Sequence, residues 1–268
     1  MKFDSNLAWK QASAAVSLNR EVALALAGVF FMLPTLALTL LFPQPEPTAA
    51  MDQKAIVEMA GAYYLSILPF VIPMILFQAA GTLALIALLT DRGRPTVGQA
   101  IGLGVRGVLP YFLAQLLLGV AGMFAGGVLM GLPAAIGAAA VGIAATLILF
   151  IYVMVRMSLV PPIIVVEGQR NPIEILRRSW DLTRGNAGRV FLFYLLVFIA
   201  FMVVVVIASA LFGVVLTLLA GQEGSTIGMA VISSLFSAVM ALYFVAIVAA
   251  VHRQLAGPPP RIDSATFE

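Results

Sequence analysis

Residues 166–189 read VEGQRNPIEILRRSWDLTRGNAGR, the longest polar, charge-dense run in an otherwise apolar chain. It carries Arg170, Arg177, Arg178, Arg184 and Arg189 and has long apolar segments on both sides. Asn171, Pro172 and Glu174 suit the N-cap, first and third positions of a helix. Asn can accept from exposed amides, Pro loses nothing at the first position, and Glu can complete a capping box. Ile173, Leu176, Trp180 and Thr183 then share one face at helical spacing, with Arg177, Arg178, Asp181 and Arg184 around the rest. Glu174 with Arg178, and Arg177 with Asp181, are spaced as i,i+4 ion pairs. Gly185 is placed to end the helix. The run therefore reads as an amphipathic helix in a headgroup layer, anchored by Trp180.

Working outward, the chain has 268 residues, 62% hydrophobic and 10% charged. A soluble domain is about a quarter charged, so most of this chain has lipid as its solvent. There is no Cys and one His, His252. Disulfides, thiolate chemistry and multi-His metal sites are thereby excluded, and no metal, cofactor or nucleic-acid partner is expected.

A hydrocarbon core of roughly 30 Å needs about 20 apolar residues per helix. Spans are expected near residues 22–42, 63–89, 108–130, 134–155, 190–219 and 226–251. Pro34, Pro69 and Pro73 fall inside spans and predict kinks. Residues 48–50 (TAA) faintly resemble a cleavage site, but the intervening prolines and Glu46 favour an uncleaved first span. With six spans, fourteen of the fifteen Lys and Arg fall on one side, and only Lys54 on the other. The positive-inside rule then places both termini in the cytoplasm of a bacterial inner membrane.

A pattern of basic amphipathic segment followed by helical hairpin recurs at about residues 1–90, 91–156 and 167–253, marked by Asn19-Arg20, Arg106-Gly107 and Arg184-Gly185. This reads as three parallel hairpin repeats in one domain over residues 1–256, with a flexible tail at 257–268. A generic basic linker before each span would give a similar pattern. In the first lead-in, Leu7, Trp9, Ala12 and Val16 form a candidate lipid-facing stripe.

The run RMSLVPPIIVVEG followed by NPIEILRRSWDLTRGN and an apolar span resembles the membrane domain of some glycerophosphoryl diester phosphodiesterases and the YciC-like inner-membrane proteins. The second copy, RGRPTVGQAIGLGVRGVLP, is similar to the weaker element there. The resemblance implies a six-span bacterial inner-membrane protein without the hydrolase domain, whose acid–base and metal groups this chain lacks.

Candidate functional residues follow from these readings. Arg177, Arg178, Arg184 and Arg189, with Trp180, either bind anionic lipid headgroups or only fix topology and anchor the helix. Arg156 and Glu167 flank an apolar segment that two prolines should break and lay along the interface; they form a possible ion pair, with snorkelling of Arg156 as the alternative. His252 reads as an interfacial neighbour of Arg253. Gly119, Gly122, Gly126, Gly127 and Gly131 give small-residue spacings for close helix packing, within the hairpin or between copies. No Asp, Glu, Lys or His lies in mid-span, which argues against a proton-coupled pump. Gln78 and Gln115 are the buried polar candidates. The expected function is non-enzymatic: binding, moving or organising lipids or other amphiphiles, alone, as a homo-oligomer or with other membrane proteins. A permease with a polar midplane site is the alternative.

Overall fold

A computed structural model describes residues 2–48, 51–90 and 95–257, excluding the side chains of Ala220, Gln222 and Glu223. Arg92, Arg94, Arg261 and the expected tail after residue 257 lie outside the described residues. Among those described, all regular structure is helical: α1 (Ser5–Leu18), α2 (Arg20–Ala27), a π-helical turn (Gly28–Met32), α3 (Leu33–Leu41), α4 (Gln53–Thr90), α5 (Val97–Ala135), α6 (Ala139–Met157), α7 (Val160–Val166) and α8 (Pro172–Thr183). The last long helix breaks at Gly221, φ +68, so we number its parts α9 (Ala187–Leu219) and α10 (Gly224–Ala256).

Among the described residues, six stretches are long and apolar enough to cross a membrane: Arg20–Leu41, α4, α5, Ala139–Val166, α9 and α10. This is a polytopic, all-α membrane protein. α4 and α5 have 38 and 39 residues, or about 57 Å each at 1.5 Å per residue, so both overrun the hydrocarbon layer. The basic lead-in of the second expected repeat is not a separate helix. It is the first three turns of α5, because Thr96 and Gln99 close a reciprocal capping box and nothing after it stops the helix. The break left between the expected spans 108–130 and 134–155 moves to Ile136–Ala138, with Gly137 at φ +77. Pro133 lies inside α5 instead.

The kink expected at Pro34 takes the form of the π-turn. Proline offers no N–H to the preceding turn, and the register slips by one residue, with Leu33 N–H donating to Gly28 O. Glycines set the closest helix approaches. Gly81 of α4 faces Phe30, and a Cβ on Gly104 of α5 would lie 2.5 Å from Ala80 O and 2.9 Å from Ala84 N.

The largest buried side chains gather at the basic end of the bundle: Leu83, Leu85 and Ile86 (α4), Ile163 and Ile164 (α7), Ile175 (α8), and Ile247 and Val251 (α10). α7 is buried there rather than lying along the interface. Its prolines occupy the first turn, where no intrahelical donor is needed. α1 turns Ala8, Ala12 and Val16 inward. The expected lipid-facing stripe is therefore split, with Ala12 and Val16 against protein and Leu7 and Trp9 partly exposed. The chain before α1 is tied down by Phe3 N–H to Asn186 Oδ1 (3.0 Å) and by paired bonds between Asp4 backbone and the Gln254 side chain (3.1 Å each). Toward the opposite end the helices show apolar side chains outward: Met123 is 80% and Phe124 77% exposed. Surface of this kind is stable only against lipid.

Candidate functional site

α8 forms at the centre of the polar run for the expected reasons, with two changes. Asn171 Oδ1 accepts from Ile173 N–H (3.0 Å), Pro172 opens the helix, and Gly185 beyond it takes φ +79. Glu174 does not close a capping box. It accepts from Gln169 Nε2 (2.7 Å), and Gln169 Oε1 in turn accepts from the Arg170 and Asn171 amides. The buried stripe is Ile175, Ser179 and Thr183, with Ile173 59% exposed. An i,i+4 row from Ile175 wins because the two hydroxyls have acceptors below: Ser179 Oγ donates to Arg156 O at 2.7 Å, and Thr183 Oγ1 to Ser179 O at 2.9 Å.

Arg156 and Glu167 do not pair. Arg156 is 4% exposed, and its guanidinium carbon lies 4.0 Å from the Trp180 ring centroid and 5.7 Å from that of Tyr152. Tyr152 meets Trp180 edge-on at 5.6 Å. The cation is held between aromatic faces and its Nε has no hydrogen-bond partner. It does not snorkel, and it has no carboxylate partner among the described residues. Trp180 thus does more than anchor α8 at an interface. Trp180→Leu is expected to cost about 2 kcal/mol, the scale of a desolvated cation–π contact, read as a lower denaturant midpoint for the purified protein. Trp180→Phe should lose less.

Glu167 instead joins three elements. Its Oε2 accepts from Arg178 Nε and its Oε1 from His252 Nε2, both at 2.9 Å. An ionised carboxylate only accepts, so Nε2 carries the proton in this bond. His252 is 3% exposed and is a core residue, not an interfacial neighbour of Arg253. The hydrogen bond from His252 holds the Glu167 carboxyl below the usual 4.5; Arg178 adds to the effect and partial burial opposes it. Glu167 is the reason the expected Glu174–Arg178 pair is absent, and Arg177–Asp181 does not form either.

The five arginines therefore divide. Arg170 Nη1 donates to Arg106 O at 3.2 Å, clamping the linker onto α5, and Arg178 is held by Glu167. Arg177, Arg184 and Arg189 are exposed, with no carboxylate partner among the described residues. Of the headgroup candidates, these three keep their charge free for a ligand.

The remaining sequence candidates do not converge. Gln78 is half-buried in α4. Gln115 is exposed on α5 and donates to Tyr111 Oη at 2.9 Å. Neither lines the two cavities found beside α9. Within the α5–α6 hairpin, a Cβ on Gly142 would lie 2.7 Å from Leu129 O and one on Gly126 would lie 3.7 Å from Thr146. Gly119, Gly122, Gly127 and Gly131 have no neighbour within 4 Å, so most of the glycine spacing lies outside the hairpin contact. Sequence reasoning missed His252. Its signal was a lone polar ring one residue before Arg253, at the end of a strongly apolar run.

No curated protein and no solved structure matches the chain. Residues 11–255 match the model of a family described as a domain of unknown function, DUF7847. That match takes in the six spans except the last residue of α10, the two rings against Arg156 and the Glu167 junction. The chain is a member of the DUF7847 family.

Proposed function

We propose that this protein binds anionic lipid at the basic end of its bundle and organises or moves lipids or related amphiphiles, without catalysing a reaction. The observation that carries this reading is the exposure of Arg177, Arg184 and Arg189, unpaired among the described residues, at the mouth of a bundle sheathed in apolar side chains. Cations at that depth meet phosphate groups first, each contributing about 1 kcal/mol near an anionic surface. The one-sided Lys and Arg distribution supports a bacterial inner-membrane setting with both termini cytoplasmic. The motif likeness of residues 156–186 to the membrane domain of glycerophosphoryl diester phosphodiesterases supports a lipid-facing role. The outward position of Gln115 favours this over a permease with a polar midplane site.

Native mass spectrometry of the purified protein tests it. The wild-type chain is expected to retain anionic phospholipid in preference to zwitterionic. Arg177→Gln, Arg184→Gln and Arg189→Gln together should weaken that retention about a hundred-fold, from three cations at about 1 kcal/mol each. Undiminished retention by a correctly inserted triple variant would sink the reading.

A further inference from the structure

Two cavities lie near the place where the N-terminal segment meets the start of α9. One is an open cleft of about 450 Å³ lined by Lys2, Arg184, Gly185, Asn186 and Arg189. The other, about 480 Å³, lies between α1 and α9 and is walled by Trp9, Leu192, Leu196, Val197 and Phe201, with Ser5 and Asn6 on its rim. Phe3 links their linings, its N–H on Asn186 Oδ1 and its ring 5.6 Å from Phe193. Arg189 is three and four residues before Leu192 and Phe193, so one α9 face passes from cation to hydrocarbon within a turn, about 5 Å.

The described lining of the cleft carries three positive groups and no carboxylate. The ion pairs among the described residues are Lys54–Glu58, Arg178–Glu167 and His252–Glu167, and none involves Lys2, Arg184 or Arg189. Asp4, two residues along from Lys2, does not line the cleft, and its Oδ1 accepts from the Asn6 and Leu7 amides at the start of α1. Gly185, at φ +79, turns the chain so that Arg184 and Arg189 face one cleft from either side of it. A cluster of like charges is relieved by an anion, and the apolar groove one turn away suits a chain attached to that anion.

We infer that this seam is a binding site for a single anionic phospholipid, its phosphate held by Lys2, Arg184 and Arg189 and an acyl chain lying against Trp9 and the Leu192–Phe201 face of α9. The inference rests on the anionic-lipid reading above and gives it a location.

The chain contains two Trp, so Trp180→Phe leaves Trp9, in the groove wall, as the only indole. The full-length W180F protein in detergent micelles is titrated with phosphatidylglycerol or phosphatidylcholine carrying dibrominated acyl chains, and Trp9 quenching is read. The anionic lipid is expected to half-quench at about ten-fold lower mole fraction. Adding Lys2→Gln, Arg184→Gln and Arg189→Gln should bring the two curves together, whereas adding Lys54→Gln, outside the cleft and paired with Glu58 at 3.8 Å, should not. If the triple variant elutes as aggregate, single Arg184→Gln and Arg189→Gln variants decide, each expected to remove part of the preference. Equal quenching by both lipids, or a preference that survives neutralisation, overturns the site. Anionic lipid retained in mass spectrometry without a Trp9 preference defeats the seam alone. No anionic lipid retained at all defeats the broader reading.

Discussion

Gly104→Ala is expected to lower the melting temperature of the purified protein by several degrees, a loss of about 1–3 kcal/mol. The added Cβ would lie 2.5 Å from Ala80 O, 2.9 Å from Ala84 N and 3.0 Å from Ala84 Cβ. Two of these atoms are backbone, so no rotamer change relieves the overlap and the axes of α4 and α5 must separate. The separation would not stay local. One turn along α5, Gly107 packs under Leu83 and Ile164, with Arg170 Nη1 just beyond. Moving α5 therefore loosens α4, α7 and the linker into α8 together. Gly102→Ala is the control on the same helix, since nothing lies within 4 Å of its Cβ position. Alanine is about 1 kcal/mol better than glycine inside a helix, so that variant should melt no lower than wild type. Equal losses at the two positions would mean that helix crossing does not control stability here.

The long-range features were legible in the sequence and the contacts between distant segments were not. Span number and helical class follow from hydropathy, because lipid forces every backbone group into intrahelical bonds. The bounds of α8 were legible because Asn171, Pro172 and Gly185 act locally. The second lead-in was misjudged because Gly107, which marked its boundary with the span, is tolerated inside α5. The partner of Glu167 could not be read at all. Helical spacing offered Arg178 to Glu174, and nothing local shows that the loop after α7 returns Glu167 to the same guanidinium. His252, 85 residues further on, depends on how α10 packs against that loop. The cleft at Arg184 and Arg189 was half legible: both cations were singled out, but Lys2 joins them only because Phe3 and Asp4 are tied to Asn186 and Gln254.

Glu167→Ala is expected to be the other strongly destabilising change, and its effect should depend on pH. In the wild-type chain one carboxylate satisfies a buried imidazole and tethers α8, through bonds of 2.9 Å to His252 and Arg178. Removing it strands His252 Nε2, and a buried donor without an acceptor costs about 1–3 kcal/mol. The Arg178 contact adds little, since that side chain is 46% exposed and solvent screens it. Because folding lowers the carboxyl pKa from 4.5, the charged junction contributes its full stabilisation above that value. The contribution is lost as pH falls through the lower folded-state pKa. The melting-temperature gap between wild type and Glu167→Ala should therefore close on acidification below about pH 5. A gap that widened toward low pH would contradict the assignment of Glu167 as the ionised partner. Glu167→Ala combined with His252→Leu gives a further check. With both polar partners gone, no buried donor is left unpaired, so the double variant should recover part of the loss. A double variant as unstable as the sum of the two single ones would show that the two side chains act independently.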